Sequence, residues 1–158
     1  MDKCKIRTFK NQEYVIKEIA ENMRRIDAFE LNAIGCADIE DGIRQSIAAS
    51  VVTMFMTAED KPICIFGISK EVYEHGRVIW CLGTDDVDRH KKSFVRHSAE
   101  ILKWWGSQYG RMFNYVSTDN KKSIAWLKRM GAKLYYPIPI NDNGDLFHLF
   151  TIGGDDNV

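Results

Sequence analysis

The chain has 158 residues, 45% of them hydrophobic and 28% charged, with no net formal charge. That balance suits one well-packed domain spanning the chain and excludes an intrinsically disordered protein. The longest charge-free stretch, Gln45 to Ala58, is too short and too polar to span a bilayer, and the N-terminal MDKCKIRTFK has no apolar signal-peptide core, so a soluble intracellular domain is expected.

In chain order, KIRTF alternates as a first strand. Residues 11–30 place Tyr14, Ile16, Ile19, Met23, Ile26 and Phe29 at helical spacing and predict one helix. A second helix is predicted from Asp38, whose carboxylate caps free amides, to about Ser50. VVTMFMTA and PICIFGIS read as strands joined by the turn EDKP, and RVIWCLGT as a buried strand after EVYEHG. Asp85, Asp86 and Asp88 then precede one long helix ending near Gly106 to Gly110. RMFNYVST is a strand. Asn120 or Asp119 caps a helix that runs through Met130, with Gly131 as its left-handed terminator. AKLYYPIPI and DLFHLFTI close the chain as two strands around the turn NDNG, before an acidic tail expected to be flexible over about 153–158. The predicted class is α/β: one mixed, mostly antiparallel sheet of about seven strands flanked by about four helices.

Cys4, Cys36, Cys64 and Cys81 are widely spaced and form no CxxC pair, which fits reduced, structural thiols. Charge is segregated: the net is −5 over residues 1–88, +9 over 89–133 and −4 over 134–158. The central block marks a candidate anion site, for a phosphate-bearing cofactor, nucleic acid or an acidic protein surface. Solvated lysines on outward helix faces explain it equally well.

This order of elements resembles the GNAT (GCN5-related N-acetyltransferase) fold over nearly the whole chain. The local likeness is strongest in NKKSIAWLKRMGA, residues 120–132, where Asn120 and Gly131 fall at the spacing of a capped helix that opens into the next strand. A closer resemblance runs through about residues 78–152. There TDDVDRHKKSF, NYVSTDN, IAWLKRMGA and LFHLFTI are similar to blocks of the internal virion protein A family of short-tailed phages. It implies a GNAT-like protein of virion morphogenesis, placed in the cytoplasm of the infected host or in the virion, with virion or assembly proteins as partners. A homo-oligomer is compatible with it.

The GNAT resemblance also says what acetyl transfer requires. A glycine-rich loop after the fourth strand lets backbone amides approach the pyrophosphate of acetyl-CoA. The best register here is Arg89-His90-Lys91-Lys92-Ser93-Phe94, with Lys92 and Phe94 at the glycine positions. Lys91, Lys92 and Ser93 retain side chains able to bind phosphate. Cys81, Leu82 and Gly83 are the residues whose backbone would face the pantetheine arm, and Asn120 completes the candidate cofactor-binding set. The tyrosine that protonates the departing thiolate is replaced by Leu127, Tyr115 lies on a strand, and the fourth strand offers no carboxylate base. Asp85 and Asp86, just beyond it, read as helix-capping acids. No catalytic residue is assigned and no cofactor is expected under the assembly reading; acetyl-CoA belongs to the alternative, an N-acetyltransferase with a non-standard loop.

His90 and His97 stand two helical turns apart and share no metal-ligand spacing, and HExxH, G-x-S-x-G and phosphate-loop motifs are absent. Nucleic acid remains a partner through Arg89, Lys91, Lys92, Arg96, Lys121, Lys122, Lys128 and Arg129 if the two basic helices flank one cleft. Of Trp104 and Trp105, at least one is expected in the core.

Overall fold

The computed structural model describes residues 3–154. Its order is β1 (Cys4–Thr8), α1 (Glu13–Asn22), α2 (Arg25–Ala33), α3 (Ile39–Ala48), β2 (Ser50–Ala58), β3 (Lys61–Ser69) and β4 (Arg77–Gly83). Then follow α4 (Asp86–Arg89), α5 (Lys91–Tyr109), β5 (Met112–Ser117), α6 (Lys121–Arg129), β6 (Lys133–Leu134), β7 (Ile138–Pro139) and β8 (Leu146–Ile152). Most of the expected acidic tail, residues 155–158, lies outside the described residues.

The strands form one eight-stranded sheet ordered β1-β2-β3-β4-β5-β8-β6, with β7 also paired to β8. Every pairing is antiparallel except β4 with β5. That parallel pair joins only Arg77 to Met112 and Val78 to Phe113; beyond Val78 the two strands part. The parting creates the cleft on which the rest of the molecule turns.

Alternation sends successive side chains to opposite faces. Phe55, Ile65 and Leu82 meet Val15, Ile16 and Ile19 of α1, Leu31 of α2 and Ile43 of α3. On the other face Met56, Cys64, Phe66, Ile79 and Val116 pack with Leu102 and Trp105 of α5 and Leu127 of α6. Full burial of each such side chain stabilises the fold by roughly 1.5–3 kcal/mol. Trp105 is 2% exposed and Trp104 51% exposed, as the doublet suggested.

The structure corrects three predicted elements. Residues 11–30 form two helices rather than one, because Met23 and Arg24 take extended backbone (ψ 138° and 143°) and dock on the end of β4. Met23 makes a bridge with Thr84, and the Arg24 N–H donates to the Gly83 carbonyl at 2.9 Å. The long helix breaks at His90 (φ −117°, ψ 34°), leaving α4 as a separate turn. AKLYYPIPI is two short strands, since Pro137 lacks the N–H that a continuous ladder needs. Among the described residues there are therefore eight strands and six helices, against about seven and about four expected.

Three of the predicted helix ends hold, whereas Asp85 makes no side-chain cap bond and Asp86 binds Lys61 and Arg89 instead of capping. Asp38 accepts the Asp41 N–H at 3.1 Å, Asn120 accepts the Ser123 N–H at 3.2 Å, and Gly131 adopts φ 83°.

Candidate functional site

Where β4 and β5 part, a cleft of about 770 Å³ opens through the sheet. Its walls come from both helical layers, with Leu31 and Ser46 on one side of the sheet and Phe94, Leu102 and Trp126 on the other. Of the predicted site residues, Cys81, Leu82, Lys91 and Asn120 line it. Gly83, Arg89, His90, Lys92 and Ser93 do not. Arg89 is exposed and pairs with Asp86, while His90 joins α4 to α5 and its carbonyl accepts the Phe94 N–H at 2.9 Å.

The most constrained part of the cleft comes from α2, which sequence reasoning did not single out. Asp27 Oδ2 accepts the Gly83 N–H at 2.8 Å and lies 3.0 Å from Arg24 Nη2. One turn on, Glu30 Oε2 accepts the Ser117 N–H at 2.7 Å, and Glu30 Oε1 accepts from Asn120 Nδ2 at 3.1 Å. Two carboxylates of one helix therefore take amides from the ends of both parting strands. Asn120 at once caps α6 and binds Glu30.

Burial dominates the electrostatics of this cluster. It pushes the Glu30 carboxyl up to about 7; Asp27 adds to that push, while the Ser117 and Asn120 donors and Arg24 oppose it. Burial likewise raises the Asp27 carboxyl above its ordinary range, against the pull of Arg24 and the Gly83 amide. On β3 and β4, Cys64 is buried against Cys81, and the hydrogen bond between them with burial raises the Cys64 thiol well above its usual value.

These contacts bear on whether an acetyl-CoA arm fits. The Gly83 N–H is taken by Asp27 and its carbonyl already accepts Arg24, so a thioester arm bonding there has to displace α2. Gly83 is glycine for packing: a Cβ would stand 3.1 Å from Val87 Cγ2 and 3.3 Å from the Ile63 carbonyl oxygen. The turn after β4 also spends its amides on itself. Asp86 N–H goes to Thr84 Oγ1, Val87 N–H to the Thr84 carbonyl, Asp88 N–H to the Asp85 carbonyl and His90 N–H to the Asp86 and Val87 carbonyls. Asp86 binds Lys61 and Arg89, and Asp88 binds Lys122 at 2.8 Å. The amides of Asp86, Val87, Asp88 and His90 are thus engaged within the chain and do not offer a diphosphate bare backbone. Leu127 is buried at 2% exposure in the core under α6.

α5 and α6 meet at the cleft wall. Trp126 Nε1 donates to Ser98 Oγ at 2.9 Å and its ring meets Phe94 at 5.6 Å. Lys91, Lys92 and Lys103 on α5 and Lys121, Lys128 and Arg129 on α6 are exposed, so the charge segregation of the sequence puts exposed cations on both helices. Among the described residues no helix is long and apolar enough to cross a membrane, and no group of three His, Cys, Asp or Glu residues is placed to hold a metal.

A protein-family model described as "Bacteriophage T7, probable scaffold protein Gp13" matches residues 53–136, more than half of the chain. The chain belongs to that family. The phage scaffold match covers β2 to the start of the C-terminal strands, including β4, the turn after it and both basic helices. No curated protein sequence matches the chain.

Solved structures match over nearly the full length. A GNAT-family acetyltransferase from Bacillus anthracis superposes with a TM-score of 0.69 at 13% identity, covering 96% of this chain and 95% of that one. The ribosomal-protein-S18-alanine N-acetyltransferase of Escherichia coli gives a TM-score of 0.64 at 11% identity, with 98% of each chain covered. A Salmonella typhimurium structure solved with its cofactor acetyl-CoA gives a TM-score of 0.64 at 8% identity, covering 98% of this chain and 96% of that one. At these identities the likeness shows the fold: the chain has the mixed α/β architecture of the GNAT proteins.

Proposed function

We propose that this chain acts in phage virion morphogenesis as a structural or assembly factor built on a GNAT fold from which acetyl transfer has been lost. The observation that carries this reading is the phage scaffold family match over residues 53–136. It agrees with the resemblance of residues 78–152 to the internal virion protein A family. The chemistry of the site supports it: leucine stands at the acid position, and lysine and phenylalanine, Lys92 and Phe94, stand at the glycine positions of the loop. Partners are virion or assembly proteins met in the infected cell, with the exposed cations of α5 and α6 as the docking contact. A nucleic-acid partner there would show a steep loss of affinity with salt.

The direct test is particle yield from a phage lacking this chain. Supplying the wild-type chain in trans should restore mature particles. Normal particle yield without the chain would overturn the reading.

One observation favours a second reading, an acetyl-CoA-dependent N-acetyltransferase: the parted β4–β5 pair opens a cleft of about 770 Å³ in a fold shared with acetyltransferases. Thermal unfolding with millimolar acetyl-CoA separates the two. A ligand at a hundredfold excess over its dissociation constant adds about 2.7 kcal/mol of stability. A shift of several degrees supports the enzyme, and an unchanged midpoint supports the assembly factor.

A further inference from the structure

We propose that α2 is a latch across the β4–β5 cleft, shut while Asp27 and Glu30 hold the strand-end amides and released when Glu30 becomes ionised and hydrated. The geometry is that of a strap. The amide of Gly83 belongs to one parting strand and that of Ser117 to the other, and a single helical turn of α2 carries both acceptors. The extended pair Met23–Arg24 before α2 supplies a hinge of non-helical backbone. Glu30 also fixes Asn120, so the latch reaches the start of α6.

The two carboxylates are held unequally. Asp27 has a guanidinium partner 3.0 Å away, whereas both Glu30 contacts come from neutral amide donors. Ionisation of Glu30 therefore adds a buried charge without a cation of its own, and hydration by release of α2 relieves it. The other charged and titratable groups facing the cleft are Arg24 and Asp27 beside it, Cys36 between α2 and α3, Tyr73 between β3 and β4, Cys81 on β4, Asp88 on α4, Lys91 on α5, Tyr115 on β5 and Lys122 on α6. Asp88 and Lys122 neutralise each other at 2.8 Å, and Arg24 is engaged with Asp27. Glu30 is left as the group whose protonation sets the latch. With its carboxyl at about 7 when shut and at the ordinary 4.5 when hydrated, the opening equilibrium rises about tenfold between pH 6 and 8.

Amide hydrogen exchange of the intact chain, corrected for intrinsic pH dependence, tests this. The Gly83 and Ser117 amides should lose roughly tenfold protection from pH 6 to 8 relative to the β2–β3 ladder. In Glu30→Gln their protection should be the same at both pH values. Constant wild-type protection overturns the latch, as does an equal loss in Glu30→Gln. If that variant does not fold, the wild-type comparison against the internal ladder decides alone.

Discussion

Lys122 Nζ lies 2.8 Å from Asp88 Oδ2, so an acid of the turn after β4 neutralises a cation at the start of α6. The contact stands where the basic helices begin, and it subtracts from the anion-binding power that the sequence advertises. Asp88→Asn should strengthen binding of inorganic pyrophosphate several-fold while changing stability by less than about 1 kcal/mol, the usual worth of an exposed pair. Thermal unfolding with and without the probe reads both effects. A variant that binds no better than wild type would show that Asp88 does not limit anion binding here.

Glu30 ties stability to pH. Its carboxyl rises from 4.5 to about 7 on folding, so between those values the folded state holds more proton than the unfolded one. Stability must then fall as pH rises through that window and level off above it. The loss has an upper limit of about 3 kcal/mol, at about 1.36 kcal/mol for each tenfold change in proton affinity. Urea titrations at pH 5 and 8 should show this decline in wild type and a smaller one in Glu30→Gln.

Asn120 has two roles, capping α6 through Oδ1 and binding Glu30 through Nδ2. Asn120→Ala should cost about 1–2 kcal/mol for the cap, plus a further penalty for the acceptor left at Glu30. Asn120→Asp keeps the cap but sets a second carboxyl against Glu30. It should restore stability at pH 5 and lose it again at pH 8. Chemical denaturation of the two variants at both pH values distinguishes cap from partner.

The boundaries that local chemistry dictates were legible in the residues. Asp38, Asn120 and Gly131 mark helix ends because short-range hydrogen bonding and backbone conformation decide them. The first strand was legible from its alternation, and the central strands from apolar runs bounded by turn residues. The break at Met23–Arg24 was not, because the apolar spacing of residues 11–30 runs straight through it; docking on Gly83 and Thr84, far along the chain, imposes it. The same distance hid the latch. Asp27 and Glu30 sit in an amphipathic pattern where a polar residue reads as solvent-facing, and their partners are 56 and 87 residues away. The charge block was visible by counting, but the contacts that join its two helices, Trp126 with Ser98 and with Phe94, were not.

We propose the exposed cations of α5 and α6 as the contact used in assembly. Its most direct test is complementation of a phage lacking this chain with Lys121, Lys128 and Arg129 all changed to Glu. These side chains are exposed, so the variant should unfold within a few degrees of wild type. A folded protein that fails to restore particle yield, where the wild-type chain succeeds, is the expected result. Full restoration by the charge-reversed chain would contradict it.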